Sequence, residues 1–300
     1  STRVRSSAAS DVYKRQKEKQ YISTLEDLIM YSKGYRLIRD RNQPGMPRQY
    51  SIVGKTGETI TSLSGTADIV KYDFGYEIDP VWEAGNKNIP GIYIEFKEPW
   101  LNPKGFEQIV YDVLANTQDM NIIEKPEPED TPFYINNGTI NVGNTNGKVI
   151  LQTFSLESLV RVAEVFQGKV PMCFLLWKGT GATDITYDDP LGYASFINLG
   201  VKYKAHFIGP CIAGAPNDYP ELNQPWQDYL IHKAGMKNHP YTFDTYDQMA
   251  KYFGQYNFGV EIDGKYKAPY LDALFTNHSD MSINYMITQG LSLIHISEPT

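Results

Sequence analysis

The sequence predicts an α/β protein, a parallel sheet with helices packed outside it, closed as a TIM-type β/α barrel and incomplete at its start. Three observations predict this. From Gly91 onward, apolar runs of strand length alternate with stretches of helical periodicity. Polar or unusual residues gather at the C-terminal ends of those runs: Glu95, Lys97, Gln152, Trp177, His239 and Thr276. That edge is where a β/α barrel carries its active site. The runs number six from Glu95 onward, where a closed barrel needs eight, so the first two strands are expected to precede the chain.

Ser23 or Thr24 can cap a first helix, with Glu26 and Asp27 suited to its positive end. Residues 35–90 hold strand-like pieces at Tyr50–Val53, Glu58–Leu63 and Asp68–Asp73, with a hairpin turn expected at Gly57. They read as a β-rich insertion before the Glu95 strand. Gly91–Trp100 reads as a strand, and Lys104–Asn116 has helical spacing through Phe106, Ile109, Val110, Val113 and Leu114. Glu124–Lys148 is rich in Pro, Asn and Gly and reads as a surface loop. Strands are then expected at Lys148–Phe154, Val170–Trp177, Ala205–Cys211, Met236–Thr242 and Leu271–Thr276. Helices are expected at Leu156–Phe166 (Ser155 at its cap), Gly192–Leu199, Pro220–Ala234, Tyr246–Phe253 and Ser282–Ile287.

The chain has 300 residues and a formal net charge of −7. Its two ends read as foreign. Ser6–Gln16 matches an in-frame translation of a transposon-based sequencing adapter, and Leu291–Thr300 matches the reverse complement of the partner adapter. Residues 1–16 and 291–300 are therefore expected to be adapter-derived, leaving 17–290 as a partial barrel cut at both ends. The remainder is acidic, which argues against nucleic acid as a partner. Two cysteines define no disulfide framework and read as buried free thiols. No apolar run approaches the length of a membrane span.

Gly91–Trp100 carries the chemistry. Ile92, Ile94 and Phe96 fall on one face of the strand; Tyr93, Glu95 and Lys97 fall on the other. Glu95 and Lys97 thus point the same way, within reach of one bound group. A divalent metal on Glu95 and a phosphate on Lys97 fit that arrangement. A Glu–Lys ion pair, or two side chains reaching water at a strand end, fits it too.

Five segments resemble, in order, the glycerophosphodiester phosphodiesterase family, especially its periplasmic-type branch. Gly91–Trp100 is similar to the family's Tyr-x-Glu-Ile-Lys-x-Pro-Trp strand, and Val149–Phe154 to its Val-x-Leu-Gln-x-Phe strand. Phe207–Pro210 and Gly235–Thr242 (ending His-Pro-Tyr-Thr) resemble two late strands. Asp272–Asp280 is a looser match to the closing strand. The resemblance implies a β/α barrel that hydrolyses small-molecule glycerophosphodiesters to glycerol 3-phosphate and an alcohol, using Ca²⁺ or Mg²⁺. It implies Glu95 as a metal ligand and Lys97 as the phosphate contact. It also asks for a His-Arg pair, a Glu-x-Asp pair and a second histidine upstream. None of these stands in Lys17–Glu83. The chain as written is therefore expected to be inactive, its complete parent active. The periplasmic-type likeness points to export. Two other readings stay open: a non-catalytic barrel that binds a phosphorylated ligand, and a related phosphodiesterase acting on phospholipid or teichoic-type polymers.

The remaining candidates keep two readings each. His239 lines the pocket or is a structural histidine held by a backbone hydrogen bond. Gln152 bonds a substrate hydroxyl or a neighbouring strand. Trp100 and Tyr241 wall the pocket or simply pack. His206 reads as structural and His232 as a solvated helix residue; His278 lies beside the closing motif, where the family rarely has histidine, with metal contact the less favoured reading. Ala273, Asn277, Ser279 and Asp244 depart from the family pattern, where Gly, Asp, Pro and Arg are usual.

Overall fold

The structure is a computed structural model. It describes residues 24–35, 91–115, 149–177, 187–218, 220–252 and 271–290 with their side chains, and several further strands as backbone. The two end segments and Gly57 lie outside the described residues. The chain forms two compact units, 1–90 and 91–300.

In the first unit, helix α1 (Leu25–Ser32) starts at a reciprocal cap. Thr24 Oγ1 accepts from the Asp27 amide at 3.1 Å, and Asp27 Oδ2 accepts from the Thr24 amide at 2.9 Å. Strand β1 (Tyr35–Ile38) pairs antiparallel with β5 (Gly75–Ile78). Strand β2 (Tyr50–Val53) pairs antiparallel with β3 (Thr59–Ile60) and β4 (Ile69–Tyr72). Residues 35–90 are β-rich where they are described.

The second unit is an α/β layer. Its five strands are β6 (Ile92–Glu95), β9 (Val149–Thr153), β10 (Met172–Leu176), β11 (Phe207–Pro210) and β12 (Lys237–Asn238). They form one all-parallel sheet in the order β12-β11-β10-β9-β6. Between β6 and β9 a small antiparallel pair, β7 (Ile135–Asn136) and β8 (Thr139–Ile140), lies in the expected loop. Helices α2 (Phe106–Ala115), α3 (Leu156–Phe166), α4 (Pro190–Lys202), α5 (Pro225–Lys233), α6 (Tyr246–Tyr252) and α7 (Ser279–Thr288) alternate with the strands.

Helix α3 starts where the sequence places it, because the Ser155 hydroxyl accepts from the Ser158 amide at 3.3 Å. Leu159, Val162 and Phe166 form its buried stripe. Phe96 leaves the strand on the helical side and meets Phe106 of α2 and Phe166 of α3 edge-on. Phe174 of β10 stacks on Phe196 of α4 at 4.3 Å. All five residues of β10 are buried, as expected for a central parallel strand covered on both faces.

Three expectations need correction. Helix α4 runs longer than Gly192–Leu199: Asp189 caps it by accepting from the Gly192 amide at 2.9 Å, and Pro190 opens its first turn. Leu271–Thr276 is not a regular strand. It lies beside the chain after β12 through scattered bonds, among them the Asp272 amide to Asn238 O and the Phe275 amide to Pro240 O. Among the described residues the parallel sheet therefore has five strands from Glu95 onward, where six were expected. A hairpin that the sequence reading missed, β13 (Gln255–Ile262) with β14 (Lys265–Pro269), stands between α6 and that segment.

The face of the sheet away from the helices is concave. Tyr93, on the β6 edge, places its hydroxyl 3.1 Å from Nδ1 of His239, which follows β12 at the opposite edge. Its ring also meets Phe275 edge-on at 4.7 Å. Side chains from the two edges thus touch across that face.

Candidate functional site

Parallel pairing puts register partners on the same face, so β6 and β9 present Glu95 beside Gln152, and β10 adds Cys173. Ile92 and Phe96 are buried toward the helices, which leaves Tyr93 and Glu95 on the concave side. Lys97 Nζ lies 2.7 Å from Glu95 Oε1. The lysine side chain is 54 % exposed and the glutamate 21 %, so the pair stands where solvent and ligand can reach it. Gln152 Oε1 is buried beside them without a hydrogen-bond partner. A buried acceptor without a donor is costly, and a ligand hydroxyl or a hard cation would satisfy it.

Below this rim the concave face is packed. Cys173, Leu175 and Phe207 form its buried centre, with Tyr93, Ile150, Phe154 and Tyr241 around them. His239 belongs to that layer. Its ring stacks on Phe207 at 4.1 Å, and its Nδ1 meets the Tyr93 hydroxyl. Burial holds the imidazole pKa down to about 4, against a smaller opposing pull from Asp272. It is neutral at pH 7, and a Tyr93 hydroxyl donating to Nδ1 places its proton on Nε2. Burial pushes the Tyr93 phenol well above its usual range and the Cys173 thiol up to about 12.

Tyr241 reaches over the strand ends. Its hydroxyl donates to Leu176 O at 2.9 Å, and its ring meets Phe154 edge-on. Trp100 lies in a 3₁₀ turn, Pro99–Leu101, with its indole 73 % exposed and its N–H donating to Glu98. The structure therefore gathers Glu95, Lys97 and Gln152 at the rim, sets His239 and Tyr241 on the same face, and turns Trp100 to solvent.

Asp244 and Asn277, both departures from the family pattern, are partners. Asp244 accepts from the Asn277 side chain at 2.7 Å and from its amide at 2.8 Å. His206 is structural: its Nδ1 accepts from the Met172 amide at 3.0 Å, and burial lowers its pKa to about 3. His232 corrects the sequence reading. It is not a solvated residue: Nε2 lies 2.8 Å from Asp272 and Nδ1 3.3 Å from Asp228, which is wholly buried.

A divalent metal finds hard oxygen donors here in Glu95 and the unpartnered Gln152 Oε1, which suit Ca²⁺ or Mg²⁺ in kind. Among the described residues, no three His, Cys, Asp or Glu side chains converge to hold a metal. Sequence reading placed Tyr93 on the Glu95 face by alternation but assigned it no role, and it missed Arg161, which works through backbone carbonyls and left no pattern. The fold and site define an α/β protein with an ion pair at the carboxyl edge of a parallel sheet. The chain matches no protein-family model and no curated protein. Among the described residues, no helix is long and apolar enough to cross a membrane.

Proposed function

We propose that the chain is part of a metal-assisted phosphodiesterase that takes glycerophosphodiesters to glycerol 3-phosphate and an alcohol, built on a TIM-type barrel. The observation that carries the reading is the Glu95–Lys97 pair, standing together on the concave face at the carboxyl edge of the sheet. The barrel reading draws on the contact of Tyr93 with His239 across that face.

A phosphodiester resists attack because its oxygens are negatively charged. Lys97 offers a fixed cation to one of those oxygens. A metal held by Glu95 and Gln152 would supply Lewis-acid charge at the same phosphorus. Gln152 Oε1 accepts from a glycerol hydroxyl when no metal takes it. Tyr241 and Phe154 shape the wall on the far side. The chain carries one of the three carboxylates and neither histidine that the resemblance asks for. It therefore binds the phosphate without turning the diester over.

The test is calorimetric titration of the full chain with glycerol 3-phosphate. Lys97→Met is expected to weaken binding roughly tenfold through loss of one charge-assisted bond. Glu95→Gln is expected to strengthen binding in the absence of metal, because the ammonium is released from its partner. Equal affinity in wild type and Lys97→Met overturns the phosphate reading. Metal-dependent release of glycerol 3-phosphate by the chain as written overturns its inactivity.

A further inference from the structure

The segment that follows Glu95 carries Lys97, yet little apolar burial holds it. Phe96 and Pro99 are buried, but Trp100 is 73 % and Leu101 64 % exposed. Its backbone is irregular after the strand, so its carbonyls need partners from elsewhere. They find them on the next strand–helix unit. Thr153 Oγ1 donates to Phe96 O at 2.8 Å, and Ser158 Oγ donates to Lys97 O at 3.2 Å. Arg161 supplies the rest: Nη1 donates to Pro99 O at 3.0 Å, and Nη2 to Pro103 O at 3.0 Å and to Asn102 O at 3.5 Å. The guanidinium is itself fixed, since Nε lies 3.0 Å from Oε1 of Glu107, a carboxylate only 3 % exposed on α2.

We infer that Arg161 is a positioning residue for Lys97. Beside Glu107, its guanidinium holds residues 99–103 and, together with the Ser158 bond to Lys97 O, keeps the segment so that the Lys97 ammonium stands over Glu95 rather than sweeping through solvent. A bare staple between α2 and α3 would use the Nε–Glu107 contact alone. Here both terminal nitrogens turn to carbonyls of the segment. Lysine cannot reproduce this, because the task needs a planar fork donating in three directions. The inference rests on the reading of Lys97 as the phosphate contact. Its structural half, that Arg161 sets where Lys97 stands, is testable without any ligand.

The experiment uses the full chain with lysines reductively methylated with ¹³C-formaldehyde. The Lys97 signal is assigned by its loss in Lys97→Arg, and inorganic phosphate is the probe. In Arg161→Ala the Lys97 methyl signal is expected to move to the position of a solvated lysine. Phosphate affinity is expected to fall about tenfold, as in Lys97→Met. Added methylguanidinium should restore both, and Arg161→Lys should restore neither. Should Arg161→Ala fail to fold, Ser158→Ala removes only the bond to Lys97 O and should move the same signal in the same direction. A Lys97 signal unchanged in folded Arg161→Ala overturns the positioning role, as does one unchanged in Ser158→Ala where Arg161→Ala does not fold. So do a wild-type Lys97 signal and wild-type phosphate affinity in Arg161→Lys. If the signal moves but wild type does not respond to phosphate, the clamp stands and the phosphate reading falls.

Discussion

At 2.8 Å from Asp272 and 3.3 Å from Asp228, the His232 imidazole has two carboxylates to answer. Burial pulls its pKa down, but the hydrogen bonds and charges of Asp228 and Asp272 outweigh that and raise it to about 9. The imidazolium in turn helps hold the Asp272 carboxyl below its usual value against burial. The same network ties Asn238 of β12, whose side-chain amide donates to Asp228 at 2.6 Å and Asn223 at 2.8 Å. Removing the cation leaves Asp228 buried against a second negative charge. His232→Gln is therefore expected to cost about 3 kcal/mol in urea unfolding at pH 6. The difference should shrink above pH 9, where the wild-type ring is neutral as well. Half of this was legible: Asp228 stands one helical turn before His232. The other half was not, because Asp272 arrives from a segment with no regular hydrogen-bond pattern.

At the scale of elements, sequence reading succeeded where a local rule sufficed. Helix α3 has a serine cap and a clean apolar stripe, and its bounds agree with the expectation. Strands β9, β10 and β11 are shorter than their apolar runs but correctly placed. It failed where long-range packing decides. Leu271–Thr276 has a strand-like run but is held to residues 238–240 by scattered bonds alone, and β12 is regular only at Lys237–Asn238, although the His239 and Tyr241 amides still donate to Ile208 O and Pro210 O of β11. At the candidate site, alternation placed Glu95 and Lys97 together. It gave no hint that their loop is held by an arginine on a later helix.

Close approach between strands also makes a prediction at this scale. A Cβ added at Gly209 of β11 would lie 2.6 Å from Leu175 Cδ2, 2.9 Å from Cys173 Sγ and 3.1 Å from the His239 carbonyl oxygen. The leucine can swing, but the backbone oxygen cannot. Gly209→Ala is expected to cost about 1–3 kcal/mol in denaturant unfolding. A variant as stable as wild type would mean that β11 and the His239 segment are not so closely packed.

For the whole molecule, three histidines set opposing limits on pH. His206 and His239 are neutral in the fold, with pKa values near 3 and 4, against about 6.5 unfolded. As pH falls from about 6.5 toward 4, the unfolded chain takes up protons that the folded one refuses, so stability drops. His232 works the other way. Its contribution is complete below about 6.5 and is lost as pH rises through 9. Thermal midpoints measured from pH 4 to pH 10 should peak near pH 6.5. His232→Gln should flatten the alkaline limb and leave the acid limb in place. An acid limb lost along with the alkaline one would contradict the assignment.

Cys173 lies on β10 and Cys211 just past the end of the neighbouring β11, both wholly inaccessible, with thiols pushed up to about 12 chiefly by burial. An alkylating reagent at neutral pH meets neither a thiolate nor an opening. Modification of these sulfurs therefore becomes a clock for the sheet. Each adduct marks a moment when β10 or β11 was exposed, and the two sites can be timed separately by peptide mass. Reaction much faster than global unfolding would expose a breathing motion in the middle of the molecule.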